Sequence, residues 1–192
     1  MAEMYIHILV INGPNLNLLG KLNRVDHGEL ALADIENLLH KRRYELETKD
    51  VRILLDFRQS NHEGDLITWV GETVAEEGAF DGIIINPSTL CASQALADAL
   101  QAVFDNGLGV PAIEVHLSQK DIKSTRPQSL TEQQCVMTRY GEHDDRYDEM
   151  VYTQALEYLF KDILERRKTQ EKLESADNKF KPSVRQAAAV AG

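Results

Sequence analysis

Ile6-His7-Ile8-Leu9-Val10-Ile11-Asn12-Gly13-Pro14-Asn15-Leu16-Asn17-Leu18-Leu19-Gly20 joins two kinds of sequence in one stretch. The first six residues are a short apolar, β-branched run, the pattern of a parallel strand buried on both faces. The remainder is a loop of Gly, Pro and Asn. Gly13 and Gly20 can adopt backbone angles closed to other residues, and Pro14 stiffens the turn between them. Each Asn side chain brings two donors and an acceptor. A buried strand ending in neutral hydrogen-bonding groups is how an open α/β sheet builds a ligand site, at the carboxyl ends of its strands. The loop has neither the spacing of a dinucleotide-binding turn nor the Gly-Lys-Ser/Thr of a P-loop. It therefore reads as a site for a neutral or hydroxylated ligand.

Working outward, Leu30, Ile35, Leu38, Leu39 and Leu46 predict one face of a helix over 29–47. Val51-Arg52-Ile53-Leu54-Leu55-Asp56-Phe57 is a second strand, followed by the polar loop Arg58-Gln59-Ser60-Asn61-His62-Glu63-Gly64. Leu66, Ile67, Val70 and Val74 mark a helix that stops near Gly78, and Gly82-Ile83-Ile84-Ile85-Asn86-Pro87 is a third buried strand, again ending in Asn. A third helix is expected over 93–104. Pro111-Ala112-Ile113-Glu114-Val115-His116-Leu117-Ser118 is a fourth strand, residues 135–138 a short fifth, and 150–168 a last helix with Val151, Ala155, Leu159 and Ile163 on one face. From residue 169 the pattern decays into charges and then alanines. The expected organisation is one domain over 1–168 and a disordered or frayed tail over 169–192. Alternating strands and helices imply an α/β fold: a flavodoxin-like, doubly wound, five-stranded parallel sheet with helices on both faces, not a closed barrel.

Composition narrows the function. Of 192 residues, 43% are apolar and 27% charged, as in a soluble globular protein. The formal charge is −10, from 31 acids against 21 bases, which argues against a nucleic-acid-binding surface and gives no reason to expect binding to anionic membrane. The two cysteines, Cys91 and Cys135, have neither redox nor zinc spacing, pointing to a reduced, cytoplasmic setting. No run approaches membrane-spanning length, and the start lacks the layout of a signal peptide. Cys91 reads as a small buried apolar residue, and His62 as ordering its loop. His143 with Asp144, Asp145 and Asp148 fits neither an EF-hand nor a zinc site, so the segment 142–149, with five acids in eight residues, reads as a solvated acidic loop without a metal.

The four strand ends converge on one sheet edge. Three motifs there join the opening loop: Arg58-Gln59-Ser60-Asn61-His62-Glu63-Gly64, Ile85-Asn86-Pro87 and Glu114-Val115-His116-Leu117-Ser118. In this order and on these elements they resemble the type II dehydroquinases, flavodoxin-like 3-dehydroquinate dehydratases, over about residues 6–160. The resemblance implies removal of water from a cyclic hydroxy-ketone acid through an enolate, with no metal or organic cofactor. It implies His116 as the acid that protonates the leaving hydroxyl, with Glu114 two residues before it on the same strand face. Asn15 falls where an Asn stabilises the enolate through water. Asn86, Leu117 and Ser118 match substrate contacts, and Arg126 matches a substrate-binding Arg if one residue is missing before Ser129. Asp98 matches an acid that reaches a neighbouring subunit's site, which implies a homo-oligomer based on trimers that can build a dodecamer.

Two segments depart from the family pattern. The family's base is a lid Tyr activated by a lid Arg. Counting from Gly20 to Gly28, those positions hold His27 and Leu22, and Arg24, two residues further along, is the candidate for the missing positive charge. The family's Thr-His-Thr-Ser stretch is replaced by Ser88-Thr89-Leu90-Cys91-Ala92-Ser93, without a His. The reading is thus a dehydratase of the type II kind with its usual base missing. Two rivals stand beside it: an enzyme of changed reaction that uses His27 as base, and a pseudoenzyme that binds a quinate- or shikimate-like ligand or regulates.

Overall fold

The computed structural model describes residues 3–21, 29–75, 79–105, 109–118, 129–142 and 147–180. Five strands, β1 (Met4–Asn12), β2 (Val51–Gln59), β3 (Gly82–Asn86), β4 (Ala112–His116) and β5 (Met137–Tyr140), form one sheet in the order β2-β1-β3-β4-β5. Every pairing is parallel. Among the described residues four helices accompany them: α1 (Leu32–Leu46), α2 (Glu63–Ala75), α3 (Gln94–Asp105) and α4 (Met150–Phe180). This is the flavodoxin-like arrangement expected from the sequence. The chain leaves β1 toward β2 on one side and returns to β3 on the other, so the strand order reverses between β1 and β3. A crevice opens at such a reversal, outside the carboxyl ends of the strands.

The alternation of side chains along β1 divides the core. Ile6, Ile8 and Val10 pack with Ile35 and Leu39 of α1 and Tyr152, Leu156 and Leu159 of α4. Leu9 and Ile11 point the other way, onto Leu66 and Val70 of α2 and Leu96 and Leu100 of α3. β1 is therefore apolar at every position from Ile8 to Ile11 because both of its faces are covered.

Several boundaries differ from the sequence reading, among them the fifth strand, at Met137–Tyr140 instead of 135–138, and three of them have a clear local reason. α1 begins at Leu32 instead of near Glu29, because the Asp34 carboxylate accepts the Ala31 N–H at 2.9 Å and closes the first turn there. β2 continues through Arg58 and Gln59, which pair with Ile11 and Asn12 of β1. Arg58 lies between Asp56 and Glu72 and serves the sheet edge, not the polar loop. α4 runs to Phe180, twelve residues past the expected end at Lys168. Its apolar stripe does end near Ile163, but Gln, Glu, Lys and Ala beyond it are strong helix formers and carry the helix into solvent, with residues 168–173 exposed. Residues 181–192 of the expected tail lie outside the described residues. Among the described residues no helix is long and apolar enough to cross a membrane.

The turns of α4 past Lys168 bury little, so their removal has a small cost. Truncation after Lys168 should move the melting temperature by less than about 4 °C in scanning calorimetry, since about 1 kcal/mol corresponds to 2–4 °C for a chain of this size. A larger drop would mean that the overhang packs against another surface.

Candidate active site

The loops after β1 and β3 touch so closely that only glycine fits between them. Gly13 N–H donates to Asn86 O at 2.8 Å, and a Cβ on Gly13 would lie 2.5 Å from Pro87 O. On the other side Ser60 N–H donates to Asn12 O at 3.1 Å, and Gln59 Nε2 to Gly13 O at 3.2 Å. A phenol holds the same strand ends from below. The Tyr152 hydroxyl donates to Asn12 Oδ1 at 2.6 Å and accepts from Asn86 Nδ2 at 3.1 Å, with all three side chains buried. Burial pushes the Tyr152 phenol well above its ordinary range, so it stays protonated and keeps donating.

His116 ends β4. Its Nε2 lies 2.5 Å from Glu114 Oε1, and both side chains are buried, at 1% and 0% exposure. Ser129 Oγ lies 2.9 Å from the same carboxylate oxygen. The imidazole also stacks on Tyr140, ring centroids 5.3 Å apart and planes 10° from parallel. Tyr140 donates to Glu132 Oε2 at 2.6 Å. Burial, followed by that bond, raises its phenol above the usual range. The imidazole is thus fixed at one edge by a carboxylate and on one face by a ring. Nε2 is the nitrogen that the Glu114 carboxylate engages.

Above His116 lies a cleft of about 190 Å³, also walled by Asn15, Asn86, Ser88, Thr89 and Tyr147. At roughly 30 Å³ per water this is the room of about six waters, the scale of a single substituted six-membered ring. Asn15 and Ser88 both have left-handed backbones, φ 67° and 52°. Asn tolerates this conformation, whereas Ser adopts it rarely, and such residues gather at functional sites. The Asn15 turn is held by its own N–H, which donates to Asn61 Oδ1 at 2.9 Å. Ser88 N–H is held by Asn86 Oδ1 at 3.2 Å.

Of the residues singled out from the sequence, Asn15, Asn86, His116 and Leu117 meet at this cleft. Glu114 does not reach it as a ligand contact: it lies behind the imidazole and orients it. Ser118 is buried at the end of β4 but is not among the described residues lining the cleft. Asp98 is exposed on α3, where it accepts from Gln94 Nε2 at 2.7 Å, and a single chain does not bring it to the cleft. His27, Leu22, Arg24 and Arg126 lie outside the described residues. His62 is exposed, and its backbone N–H donates to Ser60 Oγ at 3.0 Å. Cys91 is buried as expected, and its carbonyl accepts from Leu130 and Thr131 N–H at 2.8 and 3.2 Å. The Cys135 thiol is pushed well up, first by burial and then by Glu114, which removes it as a nucleophile near neutral pH.

The sequence reading missed Tyr152 and Tyr147. Tyr152 occupies an inward position of α4 and looks like any core aromatic. Tyr147 sits in the acidic segment, whose charge suggested only a solvated loop. Asp148 of that segment accepts the Met150 and Glu142 N–H groups, one on each oxygen, at 3.0 and 3.3 Å, and His143, Asp144 and Asp145 lie outside the described residues.

A doubly wound sheet, a buried carboxylate–imidazole pair and an Asn-walled cleft at the strand-order reversal together form a ligand cleft of the kind an open α/β sheet builds at its strand ends. The family model described as dehydroquinase class II matches residues 6–159, and the chain belongs to that family. It is 45% identical over 113 residues to the 3-dehydroquinate dehydratase of Bacillus licheniformis, a match covering 58% of this chain and 69% of that one. Against the 3-dehydroquinate dehydratase of Gloeobacter violaceus the identity is 40% over 114 residues, covering 59% and 63%. The aligned part thus spans about two thirds of the length of these relatives. The crystal structure of the type II dehydroquinase from Butyrivibrio crossotus superposes with a TM-score of 0.66 at 31% identity, covering 81% of this chain and 97% of that one.

Tyr152→Phe should lower stability at pH 7 by about 1–3 kcal/mol, because buried Asn12 Oδ1 and Asn86 Nδ2 each lose a partner. The pH dependence follows from the same group. The folded phenol resists ionisation above the ordinary value of 10.0, whereas unfolded phenols ionise there. The unfolded state then binds fewer protons than the folded one, so this contribution is complete below about pH 10 and is lost as pH rises further. Urea melts from pH 8 to 11 should show a shallower decline for Tyr152→Phe than for the wild type. Parallel declines would assign the alkaline loss to other groups.

Proposed function

We propose that this protein is a hydro-lyase that removes water from 3-dehydroquinate, or a close cyclic β-hydroxy ketone acid, through an enolate. The observation that carries the proposal is the His116–Glu114 pair beneath a cleft sized for one ring. A fixed imidazole there can protonate a leaving hydroxyl, and Glu114 holds the ring so that the same nitrogen always faces the ligand. Asn15 serves the enolate oxygen from the β1 loop, through water. Asn86, Leu117, Ser118 and Arg126 bind the substrate. Asp98 serves a neighbouring copy in a trimer-based assembly. The elimination balances with protons alone, so no cofactor is required.

The substitutions at Leu22 and His27 and the altered segment 88–93 favour a slower enzyme than an ordinary family member. Loss of a general base typically costs about 10² to 10⁴ in rate. The same features support the rival reading, a protein that retains the pocket for binding.

Formation of the conjugated enone from 3-dehydroquinate, followed by its ultraviolet absorbance, tests the proposal. Turnover should be measurable, and His116→Ala should abolish it while 3-dehydroquinate still raises the melting temperature by mass action. A ligand-dependent rise in melting temperature with no turnover by the wild type would replace the lyase with the binding protein. Light scattering at micromolar concentration should return a trimer or a multiple of one, and a monomer would remove Asp98 from the site.

A further inference from the structure

An imidazole joined to its strand by two single bonds has a soft last torsion, broad and roughly two-fold, so its plane is not set by its backbone. Glu114 holds one edge of the His116 ring through Nε2 at 2.5 Å. A hydrogen bond at one edge fixes that edge and leaves the plane free to tilt about it. A second support on the ring face removes this freedom.

Tyr140 is that support. It is the register partner of His116 across β4 and β5, and partners on parallel strands point to the same face of the sheet. The two rings stack at 5.3 Å and 10° from parallel, a separation that aromatic pairs favour. Tyr140 is itself fixed at both ends. On the backbone side, Gly141 N–H donates to His116 O at 2.9 Å. A Cβ on Gly141 would lie 2.1 Å from Leu117 O, so this approach admits only glycine. The chain comes back to the same strand end at Asp148, whose N–H donates to Leu117 O at 2.8 Å. On the far side, the Tyr140 hydroxyl donates to Glu132 Oε2 at 2.6 Å.

The two supports are joined behind the ring. Glu132 N–H donates to Ser129 Oγ at 3.1 Å. Ser129 Oγ lies 2.9 Å from Glu114 Oε1, the oxygen that holds His116. The contacts close a circuit from His116 through Glu114, Ser129, Glu132 and Tyr140 back to the imidazole. Edge and face supports therefore hang on one short stretch, 129–132. Among these five described residues only His116 lines the cleft. The others act on a ligand through it.

We infer that Tyr140 and Glu132 are positioning residues for the acid of the elimination: Glu132 holds the Tyr140 ring, and the ring holds the His116 imidazole in the plane from which it delivers its proton. This rests on the lyase reading above.

Steady-state turnover of 3-dehydroquinate and nitrogen-15 NMR of the His116 ring test it together. Tyr140→Leu keeps a large apolar side chain and removes the stack. It should lower kcat by about 10- to 100-fold, since a misplacement of about 1 Å can cost about 10² in rate, while KM stays near the wild-type value because no ligand contact is lost. Tyr140→Phe restores the ring without its anchor and should recover part of that loss. Glu132→Ala removes the same anchor, so it should match Tyr140→Phe, and the double variant should lose no more than either single one. If Tyr140→Leu does not fold, Tyr140→Phe and Glu132→Ala carry the test through their shared, non-additive fall in kcat. Wild-type kcat in Tyr140→Leu, a loss expressed in KM, equal losses in the Leu and Phe variants, or additive losses in the double variant would overturn the inference. A wild type without turnover defeats the lyase reading itself. The NMR arm then still decides the positioning: one sharp set of His116 ring signals in the wild type, broadened or doubled in Tyr140→Leu, supports it, and signals equally sharp in both overturn it.

Discussion

One hydroxyl joins the two central strands to the last helix. Tyr152 reaches from α4 to Asn12 at the end of β1 and to Asn86 at the end of β3, and both asparagines would otherwise be buried polar groups without that partner. An unpaired buried donor or acceptor costs about 1–3 kcal/mol, so the three groups are far more stable together than apart. The bond also has a geometric effect. It fixes the spacing of β1 and β3 at the point where the strand order reverses, which is where the crevice opens. The Gly13–Pro87 approach and the left-handed turns at Asn15 and Ser88 depend on that spacing.

The acid side of the cleft is built by a different logic. Glu114 is fully buried, and one of its oxygens serves His116 and Ser129 while the other has no partner among the described residues. A core built for stability alone would avoid such a carboxylate, since a buried ionic group seldom outperforms an apolar one of equal size. Its value is orientation: a stacked ring and a carboxylate leave the imidazole one way to face. This departure from good core packing sits at the strand end where chemistry is proposed.

The sheet was legible in the sequence because the inner strands β1, β3 and β4 are apolar runs bounded by Gly, Pro or Asn, and the helices between them have the 3.6-residue stripe. Ile8 to Ile11 alone shows a strand covered on both faces. The strand ends Asn86 and His116 were legible for the same reason, since position on a parallel strand fixes position at the cleft. Tyr152 was not, because periodicity marks it as core and says nothing of its hydroxyl. Glu114 was placed on the right face, but its depth, behind His116 and not beside it, depends on packing from the segment 129–131 that lies far away in sequence. Helix propensity, which the apolar pattern ignores, carried α4 beyond the end read from its stripe.

The anchors at Gly141 and Asp148 sit on carbonyls of adjacent residues, His116 and Leu117. The intervening chain therefore leaves and rejoins the body at almost one point. Loop closure depends only weakly on length, about 0.6 kcal/mol for each doubling. Residues between the anchors can consequently be added, removed or exchanged with β5 and α4 staying in register. The sheet thus meets this stretch at a single seam, formed by two consecutive carbonyls of one strand end.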